Sequence, residues 1–322
     1  MSLDKIYQPV RNELSQIDSL LNKSLRATSN KPILEINRYL LDSPGKRIRP
    51  ALVVLSAHAS NTDRKKEINQ EQLVAIGAAV ELIHMASLIH DDTIDHANMR
   101  HNKPSINAKW GQEISIALGD YLYSKAFELI ANCQNTEVLT CLSQAMAQMC
   151  EGELIQVKER GNLKLNKRQY LVVIKKKTAS FMASCCRAGA ASVKGKFIYK
   201  QALTNYGLNF GIAFQVKDDY LDLTATNEEL GKPACLDLSI GELTLPFLSL
   251  PFSKRKKLLE IKKTKEGIEL IKQVLEKLGL FNHTRNFVEN YILRAKENLN
   301  QCLDSEYRDS LENLADYISQ KA

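Results

Sequence analysis

The sequence predicts an all-α protein, a single large helical bundle spanning residues 1–322. Three observations predict the helical class. Apolar residues recur at three-to-four spacing almost throughout. The 14 Gly and 8 Pro among 322 residues make about 7 %, against roughly 12 % in average usage. No run shows the period-two alternation of a half-buried strand. With 44 % apolar and 25 % charged residues the chain has an ordinary globular composition, which excludes disorder and is ample for a buried core.

Taken in order, Leu3, Ile6, Val10, Leu14, Ile17 and Leu21 mark one face of a first helix. The pattern repeats over 33–41 and breaks at Asp42-Ser43-Pro44-Gly45. A helix begins near Pro50, where proline suits a first turn. A long helix follows over 70–96. Its most apolar stretch, 73–89, is interrupted by Glu81 and His84, which predicts a core helix rather than a membrane span. The polar stretch 97–111, with Pro104, reads as a loop. Helices are expected over 112–133, 136–160, 167–193 and 198–225. Gly231, Pro233, Gly241 and Pro246 make 226–246 a second loop, and 253–320 is amphipathic helix again. No Gly/Ser linker, low-complexity tract or short repeat divides the chain, so one domain is expected.

The 44 basic and 37 acidic residues leave +7, much of it in Lys-rich stretches such as 254–265. A solvated helical surface accounts for that excess, and small anionic substrates suit it too. Nucleic-acid binding calls for a denser patch with interleaved aromatics. The seven cysteines are odd in number and lack CxxC spacing, which predicts buried thiols in a reducing compartment, with neither disulfides nor zinc. The first 25 residues lack the apolar core of a signal peptide, so a cytoplasmic location is expected.

The sharpest chemical signal is Asp91-Asp92-Thr93-Ile94-Asp95 at the end of an apolar helix. Asp91 and Asp95 lie one turn apart on one face. Two stacked carboxylates repel unless a cation lies between them, and oxygen-only ligands favour Mg²⁺ with substrate phosphates. A solvated acidic face would explain one such motif. A second copy, Asp218-Asp219-Tyr220-Leu221-Asp222, again follows an apolar run, and two facing acidic ends suit a clamp around a diphosphate. Counter-charges are at hand: Lys46, Arg47 and Arg49 before a helix, Arg100 and Lys103 after the first motif, 175–177, and Lys232. Singly, each is an ordinary surface charge. His84, two turns before Asp91, reads either as a core residue or as a phosphate donor. His84, His90 and Asp91 also echo the metal set of HD-type phosphohydrolases, with His58 and Asp120 as further nominees.

At this point the residues resemble the trans-polyprenyl diphosphate synthases, closest to long-chain members. The matching segments are GKRIRP, ELIHMASLIHDDTID, Gly119-Asp120, EGELIQ at 151–156, KTA at 177–179, GIAFQVKDDYLD at 211–222, LGKP at 230–233 and TLP at 244–246. The resemblance implies head-to-tail condensation of isopentenyl diphosphate with a geranyl, farnesyl or geranylgeranyl diphosphate. It implies Mg²⁺, three per active site, on Asp91, Asp95, Asp218 and Asp222, with Asp219 in support. Lys46, Arg49, His84 and His101 then match the isopentenyl diphosphate side, Arg100 the allylic diphosphate, and Lys177, Thr178, Gln215 and Lys232 the allylic site and the cation. A homodimer built on 112–133 is implied, with no nucleic-acid partner, and transient membrane contact during product release is left open.

The chain departs from the family in three places. His101 and Asn102 stand where the family has a second arginine followed by Gly, Pro44 replaces a common Gly, and Glu242 stands where many members carry Lys. The family's chain-length positions, four and five before Asp91, are Ser87 and Ala86, both small, backed by Ile83 and Leu82 and then by Ala78, Ala79 and Ala75. One helix turn of about 5.4 Å accommodates roughly one extended isoprene unit. An aliphatic wall therefore predicts a long product of about six to nine units. Met85, Tyr121, Tyr123 or Phe127 would instead stop it near four, as in a geranylgeranyl diphosphate synthase. An HD-type phosphohydrolase and a non-catalytic regulatory subunit are the readings from other classes.

Overall fold

The computed structural model describes residues 1–42, 45–61, 67–230, 234–261 and 264–320. Pro44 and the loop residues Gly231, Lys232 and Pro233 lie outside them. The chain is all-α, as predicted.

The helices in chain order are α1 (Leu3–Ile6), α2 (Arg11–Arg26), α3 (Lys31–Leu41), α4 (Ile48–Ser60), α5 (Gln70–Ile94), α6 (Ile106–Trp110), α7 (Gln112–Asn132), α8 (Thr136–Glu159), α9 (Lys167–Ile174), α10 (Ser180–Ser192), α11 (Phe197–Thr224), α12 (Asn227–Leu230), α13 (Leu236–Ile240), α14 (Leu245–Leu248), α15 (Phe252–Glu260), α16 (Lys265–Lys277), α17 (Leu280–Leu299) and α18 (Glu306–Gln320). The predicted first helix is split at Pro9, where a single 3₁₀ turn (Gln8–Val10) intervenes. The amphipathic tail 253–320 is four helices, α15 to α18, rather than one.

α5 lies at the centre, packed against α2, α4 and α7. It is long and apolar enough to cross a bilayer by composition, yet most of it is buried inside the protein. α10 packs on α4, α8 and α11, and α11 packs on α17. Small residues set the closest approaches. A Cβ on Gly119 would lie 2.1 Å from His90 Nε2, so glycine there lets α7 press on α5.

Two local features differ from expectation. The loop 97–111 holds a two-residue hairpin, β1 (Met99–Arg100) and β2 (Lys103–Pro104), and then α6. Its turn residues His101 (φ 52°) and Asn102 (φ 60°) are both left-handed, as a type I′ turn requires. Tyr39 Oη donates to the Pro104 carbonyl at 2.7 Å and pins the hairpin to α3. The predicted helix 167–193 is interrupted by a π-helical turn, Lys175–Ala179, between α9 and α10.

Five cysteines are buried as expected. Cys133 is half-buried, and Cys150 is exposed on the rim of the main cavity.

Candidate active site

α5 and α11 both end at one cavity of about 940 Å³. Asp91, Asp92 and Asp95 line it from the first helix, and Gln215, Asp218 and Asp219 from the second. The hairpin adds Arg100 and His101, the turn before α4 adds Lys46 and Arg47, and the first turn of α4 adds Arg49. The π turn contributes Lys177 and Thr178. A π turn adds a residue to the helix and re-aims the side chains that follow, a device frequent at functional sites. Gly152 permits it, because a Cβ there would meet Lys177 N at 2.6 Å.

The cations divide into two kinds. Arg47, at a left-handed position (φ 53°), is held by Glu81 at 2.6 Å and Asp18 at 2.7 Å. That anchor sets the backbone from which Lys46 and Arg49 reach the cavity. Arg49 is stacked over the Phe181 ring at 5.6 Å. Its Nε is buried with no hydrogen-bond partner among the described residues. Burial lowers its pKa against the pull of surrounding acids. A buried donor without an acceptor costs about 1–3 kcal/mol, so an anion arriving there gains what the free protein lacks. His84 is pushed well below its usual value by burial and by Arg49 and Arg100, so it is a neutral donor or acceptor at pH 7.

The acids tell the complementary story. Burial pushes the Asp91 carboxyl up to about 7, against the pull of Lys177 Nζ at 3.7 Å. Lys177 also pairs with Glu153, and the two acids hold it charged against its own burial. Arg100 binds both oxygens of Asp92, with Nε at 3.1 Å from each. Asp95 pairs with Arg160. Asp219 accepts from Tyr170 Oη at 2.5 Å and from Gln215 Nε2 at 2.8 Å, while Thr178 Oγ1 donates to Gln215 Oε1 at 2.6 Å. Burial raises Asp219 to about 7 despite these donors.

The donor set fits Mg²⁺. It consists of carboxylate oxygens facing a cavity also lined by cations. Among the described residues no three His, Cys, Asp or Glu side chains converge as a ready-made cage. Mg²⁺ takes one or two carboxylates and completes its shell with water and phosphate oxygens.

Several predicted residues are not brought to the cavity. Asp222 is buried, and its Oδ2 accepts from the Asp237 amide at 3.3 Å. Its backbone carbonyl accepts from the Cys235 amide at 2.8 Å, so it ties down the loop after α11. Leu82, Ile83 and Ala86 are fully buried off the wall, on α5 faces turned from the cavity. The helical period instead presents Glu81, His84, Met85, Ser87 and Leu88. The cavity lining is completed by Tyr123 from α7 and by Met149, Cys150 and Leu154 from α8. Tyr121 and Phe127 are not on it.

Of the phosphohydrolase nominees, Asp120 lies 3.7 Å from His90 Nε2, but His58 does not join them. His58 pairs with Glu13 at 3.0 Å and stacks on Tyr307 at 4.2 Å, away from the cavity. Glu153 lies in the matching segment EGELIQ without being singled out there. Tyr170 and Arg160 are site residues that the sequence reading does not name, because each is assigned only by what it meets across the fold.

The polyprenyl synthetase family model matches residues 30–278. The chain belongs to this family. As a polyprenyl synthetase it is 36 % identical over 327 residues to heptaprenyl diphosphate synthase component 2 of Bacillus subtilis (strain 168), covering 100 % of this chain and 91 % of that one. It is 33 % identical over 326 residues to the geranylgeranyl diphosphate synthase of Methanosarcina mazei, covering 99 % and 98 %. The crystal structure of the polyprenyl synthase from Caulobacter crescentus CB15, complexed with calcium and isoprenyl diphosphate, superposes with a TM-score of 0.91 at 30 % identity, covering 99 % and 97 %. The chain is therefore a Mg²⁺-dependent prenyltransferase that elongates trans-prenyl chains. The phosphohydrolase and non-catalytic readings fall with that assignment.

Proposed function

We propose that this polyprenyl synthetase condenses isopentenyl diphosphate with an allylic diphosphate to make a long product of about six to nine isoprene units. The observation that carries the condensation is the facing of Asp91, Asp95, Asp218 and Asp219 across one cavity that also holds Lys46, Arg49 and Lys177. Mg²⁺, three per site, held by Asp91, Asp95 and Asp218 would neutralise charge on the leaving diphosphate. Asp222 serves the neighbouring loop in this arrangement and is left out of that set.

The chain's own groups then have distinct tasks. Lys46, Arg49 and neutral His84 bind the isopentenyl diphosphate. Lys177, beside Asp91, adds fixed positive charge where the allylic C–O bond breaks, and needs no reorganisation to do so. The Thr178–Gln215–Asp219 chain holds amide and hydroxyl dipoles along the path of the allylic cation, with Tyr170 locking its far end. Leu88, Phe214 and Ile174 line the same cavity and exclude water that would quench the cation. The proton lost after coupling is taken by the released pyrophosphate.

The long product is supported by small Ser87 on the cavity wall and by the heptaprenyl relative. Met85 and Tyr123 on the cavity wall and the geranylgeranyl relative favour a four-unit product as the second reading. The test supplies labelled isopentenyl diphosphate, Mg²⁺ and primers of two, three or four units, then sizes the dephosphorylated products. A ladder ending beyond five units is expected, and Ser87→Phe should shorten it. A stop at four moves the limit to Tyr123. No condensation with any primer overturns the proposal.

We also propose a dimer through α7 and α8, which expose Ile116, Phe127 and Leu154. Light scattering on the purified chain distinguishes a homodimer from a monomer that waits for a different subunit, as the heptaprenyl relative's "component 2" suggests.

A further inference from the structure

Arg160 follows the last turn of α8 and lines the cavity. One Nη donates to Asp95 Oδ1, and Nε donates to Glu242 Oε1 at 3.0 Å. Gln156 Nε2 donates to the other oxygen of Glu242. The second Nη makes no hydrogen bond among the described residues. The backbone holds this arrangement in register. The Gly161 amide donates to the Gly241 carbonyl at 2.9 Å, and Gly241 is left-handed at φ 90°.

We infer that Arg160 is a further diphosphate-binding residue of this site, held for that task by Glu242 and Gln156. The inference rests on the reading of Asp95 as a metal ligand. Once Asp95 serves a divalent cation, its charge no longer compensates the guanidinium, which then faces a cation instead. Glu242 still grips Nε, so Arg160 stays in the cavity with both Nη groups turned to whatever anion is present. A guanidinium edge matches two phosphate oxygens. Glu242 thus acts through Arg160 and is a positioning residue, and the carboxylate at this loop position supplies positive charge to the cavity indirectly.

The test needs no prenyl turnover. Calorimetry measures Mg²⁺-pyrophosphate binding to wild type, Arg160→Gln, Arg160→Lys, Glu242→Gln and the double variant. Arg160→Gln is expected to weaken binding about tenfold, the scale of one lost charge-assisted pair. Arg160→Lys recovers part of it. Glu242→Gln weakens binding less, and adds nothing in the Arg160→Gln background. Steady-state kinetics should show the KM for farnesyl diphosphate rising with Arg160→Gln while that for isopentenyl diphosphate stays within about twofold, a split that general loosening of the fold would not produce. Thermal melting checks that each variant folds, and Arg160→Lys carries the test if Arg160→Gln does not. Unchanged pyrophosphate affinity in folded Arg160→Gln, or equal rises in both KM values, overturns the inference. Mn²⁺ binding by electron paramagnetic resonance separates the two readings. A wild type that binds neither Mn²⁺ nor Mg²⁺-pyrophosphate defeats the metal reading and this inference together. A wild type that binds both, with Arg160→Gln unaltered, defeats only the role of Arg160.

Discussion

Replacing Glu81 by Ala removes the partner that neutralises Arg47 on the side of the cavity that Lys46 and Arg49 line. Both side chains are nearly closed to water, at 4 % and 14 % exposure, so the pair is not screened as a surface pair would be. Taking one member from a buried pair leaves an uncompensated charge and costs about 3–5 kcal/mol. The second arm, Arg47 to Asp18, is different. Asp18 is 45 % exposed, and a pair that open is worth about 0–1 kcal/mol. Glu81→Ala should therefore lower the melting temperature by about 6–20 °C, at about 2–4 °C per kcal/mol for a chain somewhat shorter than this one. Asp18→Asn should lower it by only a few degrees. The double variant Arg47→Met/Glu81→Leu should recover most of the loss, because packed apolar side chains often replace a buried pair without cost. It should not recover activity, since Arg47 also sets the backbone that aims Lys46 and Arg49, and the KM for isopentenyl diphosphate should stay high. Calorimetric melting with parallel kinetics checks all three. Equal losses from Glu81→Ala and Asp18→Asn would refute the assignment of the stability to the buried arm, and wild-type KM in the double variant would refute the positioning argument.

Three further outcomes follow from the site and the fold. Burial and the neighbouring Arg100 hold His101 below its usual pKa, so it is neutral at pH 7. His101→Arg should tighten isopentenyl diphosphate binding about tenfold by adding a charge-assisted contact, and equilibrium binding should lose the gain wild type shows as acid protonates His101. Tyr170→Phe removes one of the two donors to Asp219, and should lower kcat about tenfold with the isopentenyl KM unchanged, a hydrogen bond to a charged group being worth about 1.5–3 kcal/mol. The hydrogen bond from His58 lowers the folded-state pKa of Glu13. That contribution is fully present above the ordinary carboxyl value near 4.5 and is lost as pH falls through the lower folded value. Acid titration of stability should therefore flatten in Glu13→Gln, and an unchanged acid limb would assign the loss to other carboxyls.

Much of the site could be read along the chain because its acidic pairs are local. Asp91 with Asp95, and Asp218 with Asp219, are neighbours on single helices, and their meaning follows from helix geometry and charge alone. The helical class was equally legible in the spacing of Leu3, Ile6, Val10 and Leu14. Other features were not. The type I′ turn at His101-Asn102 uses two residues that tolerate left-handed backbone without demanding it. The π turn at Lys175–Ala179 carries a helical pattern and differs only by one extra residue, imposed by packing against α8 at Gly152. The expected wall of Ala86, Ile83 and Leu82 failed for a similar reason. Sequence spacing places residues around α5, but which face meets the cavity depends on how α2, α4 and α7 clamp it.

By itself, then, the sequence determined the class of fold, the two acidic helix ends and the basic cluster before α4, because each is a property of residues within one or two turns. Only the tertiary structure decided which charges stay available to a substrate. Arg47, Arg100 and Arg160 look alike in sequence, yet Arg47 is consumed by Glu81 and Asp18, Arg100 by Asp92, and Arg160 is shared between Asp95 and Glu242. Arg49 alone of these four has a buried nitrogen left without an acceptor among the described residues. Coulomb energy and desolvation depend on distances between groups far apart in the chain, and those distances exist only once the helices have packed.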